Sequence, residues 1–122
     1  MAVVMVVDDT QTARDVLTRL LRREGFETRT AGSAAEVLAG LAQTPPDIML
    51  LDITMPEMDG LTLLEILHNH PRWGRLPVIM FSALDGCPFI ERAERLGAKA
   101  YCVKGRDSFT EVLGHIRQHL VA

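Results

Sequence analysis

Four short stretches of this sequence hold the groups best suited to chemistry: Asp8-Asp9, Asp52, Ser82-Ala83 and Lys104. Each follows directly on a short apolar run: Val3–Val7, Ile48–Leu51, Val78–Phe81 and Ala100–Val103. If the runs lie side by side in one sheet, the polar groups meet at one edge. Three carboxylates so gathered repel one another, two of them about 4 Å apart by roughly 4 kcal/mol at an effective dielectric near 20. Protons or a cation must compensate. Oxygen-only ligands favour Mg²⁺, or Mn²⁺, which keeps open positions for water and phosphate oxygens. Lys104 adds a second positive charge and Ser82 a hydroxyl donor. Such a set stabilises a phosphoryl group in transfer, a reaction that needs positioning and charge more than covalent help. A carboxylate such as Asp52 can be the nucleophile, forming an acyl phosphate.

The elements that must position these groups follow from the same sequence. Runs as short and apolar as the first, third and fourth strands suit strands buried on both faces of a parallel sheet. Phe26–Thr30 is different. There Phe26, Thr28 and Thr30 alternate with Glu27 and Arg29, the pattern of a half-exposed edge strand. Between the runs apolar residues recur at helical spacing: Ala13, Val16, Leu17, Leu20 and Leu21 before Gly25, then Val37, Leu38 and Leu41 before Pro45-Pro46. Ser33 and Glu36 have the spacing of a capping box. Further helices are expected over Leu61–His68 and Phe89–Leu96. Phe109, Val112, Leu113, Ile116 and Leu120 form one stripe of a last helix. Five strand–helix units with right-handed crossovers make an α/β (βα)5 fold, a doubly wound parallel five-stranded sheet of order 2-1-3-4-5. Its functional crevice lies outside the carboxyl ends of the strands, between the first and third.

The 122 residues suit a single domain over 1–122. With 48% apolar and 24% charged residues the composition is that of an ordinary globule. A net charge of −3 with scattered arginines argues against direct nucleic-acid binding. No apolar run is long enough for a bilayer, and the N-terminus has no basic lead. Cys87 and Cys102 lack CxxC spacing and read as free thiols of a reducing compartment, so the expected location is cytoplasmic.

The order and spacing of these motifs resemble a response-regulator receiver domain along the whole chain. The stretch Asp52-Ile53-Thr54-Met55-Pro56-Glu57-Met58-Asp59-Gly60 is similar to the family's D-x-x-M-P-x-M-D-G loop. Leu76-Pro77-Val78-Ile79 leads into Ser82-Ala83, and Gly97-Ala98 precedes Tyr101 and Lys104 at family spacing. The resemblance implies a flavodoxin-like receiver fold and a phosphorylation-activated switch of a two-component system. Asp52 is then the phosphoacceptor. Asp8, Asp9, Asp52 and the Thr54 backbone carbonyl are the Mg²⁺ ligands. Lys104, Ser82 and the Ala83 backbone N–H contact the phosphoryl group, and Ser82 and Tyr101 are the switch pair. Thr54 and Leu84 occupy positions that tune phosphoryl lifetime, and an apolar Leu84 is expected to hinder attacking water. The implied partners are a histidine kinase or histidine phosphotransfer protein, a downstream protein bound through the helix 4–strand 5–helix 5 face, and a second copy in a phosphorylation-dependent dimer. The chain is expected to catalyse only its own phosphorylation and dephosphorylation, and not to be an enzyme otherwise. One departure stands beside Lys104. The family carries proline next, often after a cis bond, and here Gly105 follows. A cis bond before a non-proline residue costs about 2.5–4 kcal/mol and is not expected, whereas glycine's freedom can still let the loop place the lysine.

Plainer readings compete at other positions. Asp59, before Gly60 and a helix, suits an N-cap better than a nucleophile. His115 and His119 lie four apart but fall outside the apolar stripe, so solvated side chains are favoured over a metal pair. His68 and His70 read as surface residues, Trp73 as an aromatic over a core edge, and Cys102 as a core residue. Two other functions fit part of the pattern. One is a receiver-like module that is never phosphorylated, which should bind Mg²⁺ poorly. The other is a phosphatase with an aspartyl-phosphate intermediate, for which no cap-sized insertion is evident.

Overall fold

The computed structural model describes residues 1–120. Strands and helices alternate strictly: β1 (Val3–Val7), α1 (Gln11–Arg23), β2 (Glu27–Ala31), α2 (Ala34–Gln43), β3 (Ile48–Leu51), α3 (Gly60–Asn69), β4 (Val78–Ser82), α4 (Cys87–Arg95), β5 (Ala100–Val103) and α5 (Phe109–His119). All neighbouring strands pair in parallel, in the order β2-β1-β3-β4-β5. This is the doubly wound arrangement that the sequence predicts.

Side chains alternate across each strand and divide the core in two. On one face Met5, Val7, Met49, Leu51 and Met80 pack with Val37, Leu41, Leu63, Leu64, Leu67 and Ala93 from α2, α3 and α4. On the other, Val4, Val6, Ile48, Leu50 and Ile79 pack with Leu17, Leu21, Val112 and Ile116 from α1 and α5. Burying each large aliphatic side chain is worth about 1.5–3 kcal/mol, so the central strands are held from both sides and their carboxyl ends are rigid supports. Among the described residues no helix is long and apolar enough to cross a membrane.

Three local features differ from the sequence reading. Strand β2 runs one residue later than expected, ending at Ala31, and Thr30 is exposed while Arg29 is half-buried. The reason lies in α2, which lacks a basic residue in its last turn. Arg29 reaches over from β2 and donates to the carbonyls of Gly40, at 3.0 Å, and Thr44. Ser33 accepts the Glu36 N–H at 3.2 Å, but Glu36 returns to Gly32 N–H at 3.0 Å and to the Ser33 hydroxyl, so the box is closed one residue early. A reciprocal box forms instead at Ser108 and Glu111 of α5. Helix α4 begins at Cys87, two residues before the expected start, because Pro88 is accepted in a first turn. Asp59 caps α3, its Oδ1 accepting Thr62 N–H at 2.8 Å. His68 and His70 are exposed, Trp73 is half-buried against the core, and Cys102 is buried.

Candidate functional site

The ends of β1, β3, β4 and β5 bring together the groups singled out in the sequence. Asp8 follows β1 and is 2% exposed, Asp52 follows β3 and is 6% exposed, and Ser82 closes β4 with no exposure. Asp9 and Ala83 stand exposed at the rim. Carboxylate oxygens of Asp8, Asp9 and Asp52 lie within 4.8 Å of one another. Hard oxygen donors at that separation, part buried and part open, suit a small divalent cation that retains water. They are the only such His/Cys/Asp/Glu group among the described residues, so His115 and His119 do not belong to one.

Each buried acid is held by its own loop. Asp8 Oδ1 accepts Thr10 N–H at 2.9 Å, and its backbone carbonyl accepts the Arg14 guanidinium at 2.6 Å. Asp52 Oδ1 accepts Thr54 N–H at 3.3 Å. Lys104 donates to Asp8 Oδ2 and, at 3.1 Å, to Asp52 Oδ2, so one ammonium bridges the two buried acids. Burial works to lower the pKa of this amine, but the hydrogen bond to Asp8 and the charge of Asp52 outweigh it and hold the group above its ordinary value. Lys104 is therefore a fixed cation of the site. Its ammonium also lies 5.7 Å from the centre of the Phe81 ring.

The loop after Lys104 reaches this geometry without proline. The Lys104–Gly105 bond is trans and Gly105 has φ +83°, a conformation that side chains with a Cβ rarely adopt. Asp107 closes the turn. It accepts Val103 N–H at 2.7 Å through Oδ2 and returns its own N–H to Val103 O at 2.9 Å. Arg106 joins Asp107 to Asp85 of the β4–α4 loop, the latter at 3.0 Å.

Gly60 has a role that its place as the first residue of α3 does not reveal. Its N–H donates to Ile53 O at 2.7 Å, and a Cβ there would overlap the Asp52 carbonyl oxygen and stand 2.8 Å from the carbonyl carbon. The absence of a side chain lets α3 press on the backbone of Asp52. Within the same loop Glu57 has φ +68° under a tight Pro56 O to Met58 N–H turn.

The switch candidates are linked. Leu84 N–H donates to Ser82 Oγ at 3.2 Å, and the Tyr101 hydroxyl donates to Leu84 O at 2.6 Å. Burial raises the Tyr101 pKa, the neighbouring Ser82 opposes this, and the charges of Asp52 and Asp85 add to it. Thr54 is exposed and Leu84 half-buried, both at the rim. Sequence reasoning missed Arg14, Gly60 as a packing position, and the Arg106–Asp107 clasp. Only Gly60 carried a signal, as part of the motif. Beside the site, Ala13, Val16, Leu20, Phe81, Lys104 and Phe109 line an apolar groove of about 400 Å³ between α1 and α5.

Known proteins resemble this chain over most of its length. The family model for the response regulator receiver domain matches residues 4–114. Protein PilG of Pseudomonas aeruginosa is 35% identical over 117 residues, covering 96% of this chain and 86% of that protein. The DNA-binding transcriptional regulator NtrC of Escherichia coli is 42% identical over 106 residues, but these span 86% of this chain and only 22% of NtrC. Among solved structures, a CheY-like receiver domain protein from Methanospirillum hungatei superposes with a TM-score of 0.89 at 28% identity, covering 98% of this chain and 94% of that one. A chain of the CheX-CheY-BeF3-Mg complex from Borrelia burgdorferi gives 0.88 at 32% identity, covering 99% and 90%.

Proposed function

This chain belongs to the response regulator receiver domain family, and from that premise we propose that it is a phosphorylation switch with Asp52 as its phosphoacceptor. The observation that carries the reading is the buried Asp52 carboxylate, bridged by Lys104 to Asp8 and grouped with Asp8 and Asp9 at one strand edge. An Asp52 oxygen attacks the phosphorus of a phosphohistidine on a histidine kinase or phosphotransfer protein. The N–P bond breaks, its electrons return to the imidazole, and an acyl phosphate forms.

The donor set fits Mg²⁺, with Asp8, Asp9, Asp52 and the Thr54 carbonyl as the groups that would hold it. When bound, the ion supplies charge neutralisation for the phosphoryl oxygens. Lys104, kept protonated by its acidic neighbours, contacts the phosphoryl group together with the Ala83 N–H. Ser82 exchanges its Leu84 N–H contact for a phosphoryl oxygen. Tyr101 then loses its bond to Leu84 O, and the face formed by α4, β5 and α5 changes its affinity for a protein partner, a second copy included. The α1–α5 groove, which ends at Lys104, offers the donor protein an apolar seat beside the reacting atoms. Borrelia burgdorferi CheY, a structural relative, is seen with Mg²⁺ and the protein CheX, which supports both the cation and a protein partner. The chain turns over no external substrate.

Labelling with radioactive acetyl phosphate tests the assignment. Wild type takes up acid-stable, base-labile label only with Mg²⁺, and Asp52→Ala takes up none. Equal labelling of that variant overturns the proposal.

A further inference from the structure

The edge of the sheet opposite Asp52 carries a second cleft, of about 790 Å³, that the phosphorylation switch does not use. Its walls come from the segments that enter the strands: Ala2 before β1, Pro45-Pro46-Asp47 before β3 and Arg72–Pro77 before β4, with Leu120 beyond α5. The volume lies in the range of small-molecule sites, and the lining joins an apolar floor to charged groups at the mouth.

Charge in the cleft is unbalanced. Arg72 and Arg75 both line it, both are exposed, and neither forms an ion pair among the described residues. Asp47 is the only acid in the lining among the described residues, and its Oδ2 already accepts Val3 N–H at 2.6 Å. Two guanidiniums without acidic partners, on a chain of net charge −3, favour an anion here. Trp73 forms a fixed apolar wall. The His70 ring stacks 5.8 Å away at 24°, and the Arg72 guanidinium lies 4.6 Å from its ring centre. Gly74 pins the turn, since a Cβ there would stand 2.9 Å from His68 O and 3.1 Å from His70 O. The wall and one of the cations are thus set in place before any ligand arrives, which lowers the cost of binding.

We propose that this cleft binds an amphipathic carboxylate, an aryl or acyl body headed by an anion, with the body on Trp73, Leu76 and Pro77 and the carboxylate between Arg72 and Arg75. The site is independent of Asp52 and places a small-molecule input at the far edge of the same sheet.

Trp73 is the only tryptophan, so its indole N–H gives a single amide-correlation cross-peak that reports on the cleft directly. The experiment titrates the ¹⁵N-labelled full chain with 2-naphthoate and, in parallel, with the neutral 2-naphthamide. The acid is expected to shift the Trp73 indole and the Leu76 amide saturably, and the amide to bind about tenfold more weakly. Arg72→Gln/Arg75→Gln should reduce the acid to the affinity of the amide while keeping the wild-type circular dichroism spectrum. Raising NaCl to about 0.5 M should weaken the acid alone in the unaltered protein, a test that needs no variant. Equal affinity for acid and amide overturns the proposal, as do shifts that map to the α1–α5 groove instead. An acidic peptide with no apolar residue that binds as well as naphthoate overturns it too, since surface charge alone would then suffice.

Discussion

Adding one methyl group at Gly60 and at Gly114 should move the protein in opposite directions. At Gly60 the new Cβ would overlap the Asp52 carbonyl oxygen and stand 2.8 Å from its carbon and 2.9 Å from Ile53 Cα. All three atoms are backbone, so no side chain can swing away, and the start of α3 and the end of β3 must part by about 1 Å. Overpacking of this kind costs about 1–3 kcal/mol. For a chain of this size that is a fall in melting temperature of about 4–12 °C. The displaced backbone is that of Asp52 itself, and a misplacement near 1 Å lowers the rate of a positioned reaction by about 10²-fold. At Gly114, inside α5, nothing among the described residues lies within 4 Å of the added Cβ. There alanine removes only glycine's entropic penalty and should raise the melting temperature by about 2–4 °C, with labelling unchanged. Thermal melts and Mg²⁺-dependent acetyl phosphate labelling of both variants measure the two effects. A Gly60→Ala protein that melts and labels like wild type would refute the packing argument. One that is destabilised but labels normally would show that the strain is absorbed away from Asp52.

Three further outcomes are expected. Leu84→Asn should speed autodephosphorylation by opening the rim to water, and an unchanged rate sinks that role for Leu84. A thiol reagent at pH 8 should modify one cysteine per native chain: Cys87 is exposed, whereas Cys102 is buried and burial pushes its thiol up to about 11, leaving roughly 10⁻³ of it as thiolate; two fast-reacting thiols contradict this. The Asp107 carboxyl is held below its ordinary pKa, first by Val103 N–H and then by Arg106, so its charge stabilises the fold at pH values above the unfolded-state pKa and that contribution is lost as pH falls through the lowered folded value. The melting-temperature gap between wild type and Asp107→Asn should thus be present at neutral pH and vanish in acid, and a gap constant with pH would argue against the charge.

The central strands are legible in the sequence because burial on both faces leaves them no polar positions, and the acids, serine and lysine that follow them share an edge once the sheet is parallel. Strand β2 is less legible. At an edge the hydrophobic requirement is weak, and the half-burial of Arg29 depends on the carbonyls of α2 rather than on β2 itself. Arg14 was not legible because its partner is a backbone carbonyl, which any residue at position 8 would present. The distal cleft is assembled from segments far apart in the chain, so no local pattern announces it.

The edge strand also bears on how copies of this chain avoid one another. Among the described residues strand β2 pairs only with β1, so one row of its backbone groups has no sheet neighbour there. A bare row of that kind invites another molecule to extend the sheet. Here Glu27 and Thr30 are exposed along it, and Arg29 is drawn across towards α2. A second β2 docking there would set like side chains together and displace the arginine from its helix. Strand-to-strand polymerisation is thereby discouraged at high protein concentrations, and helical faces are the less hazardous surfaces for two copies to meet.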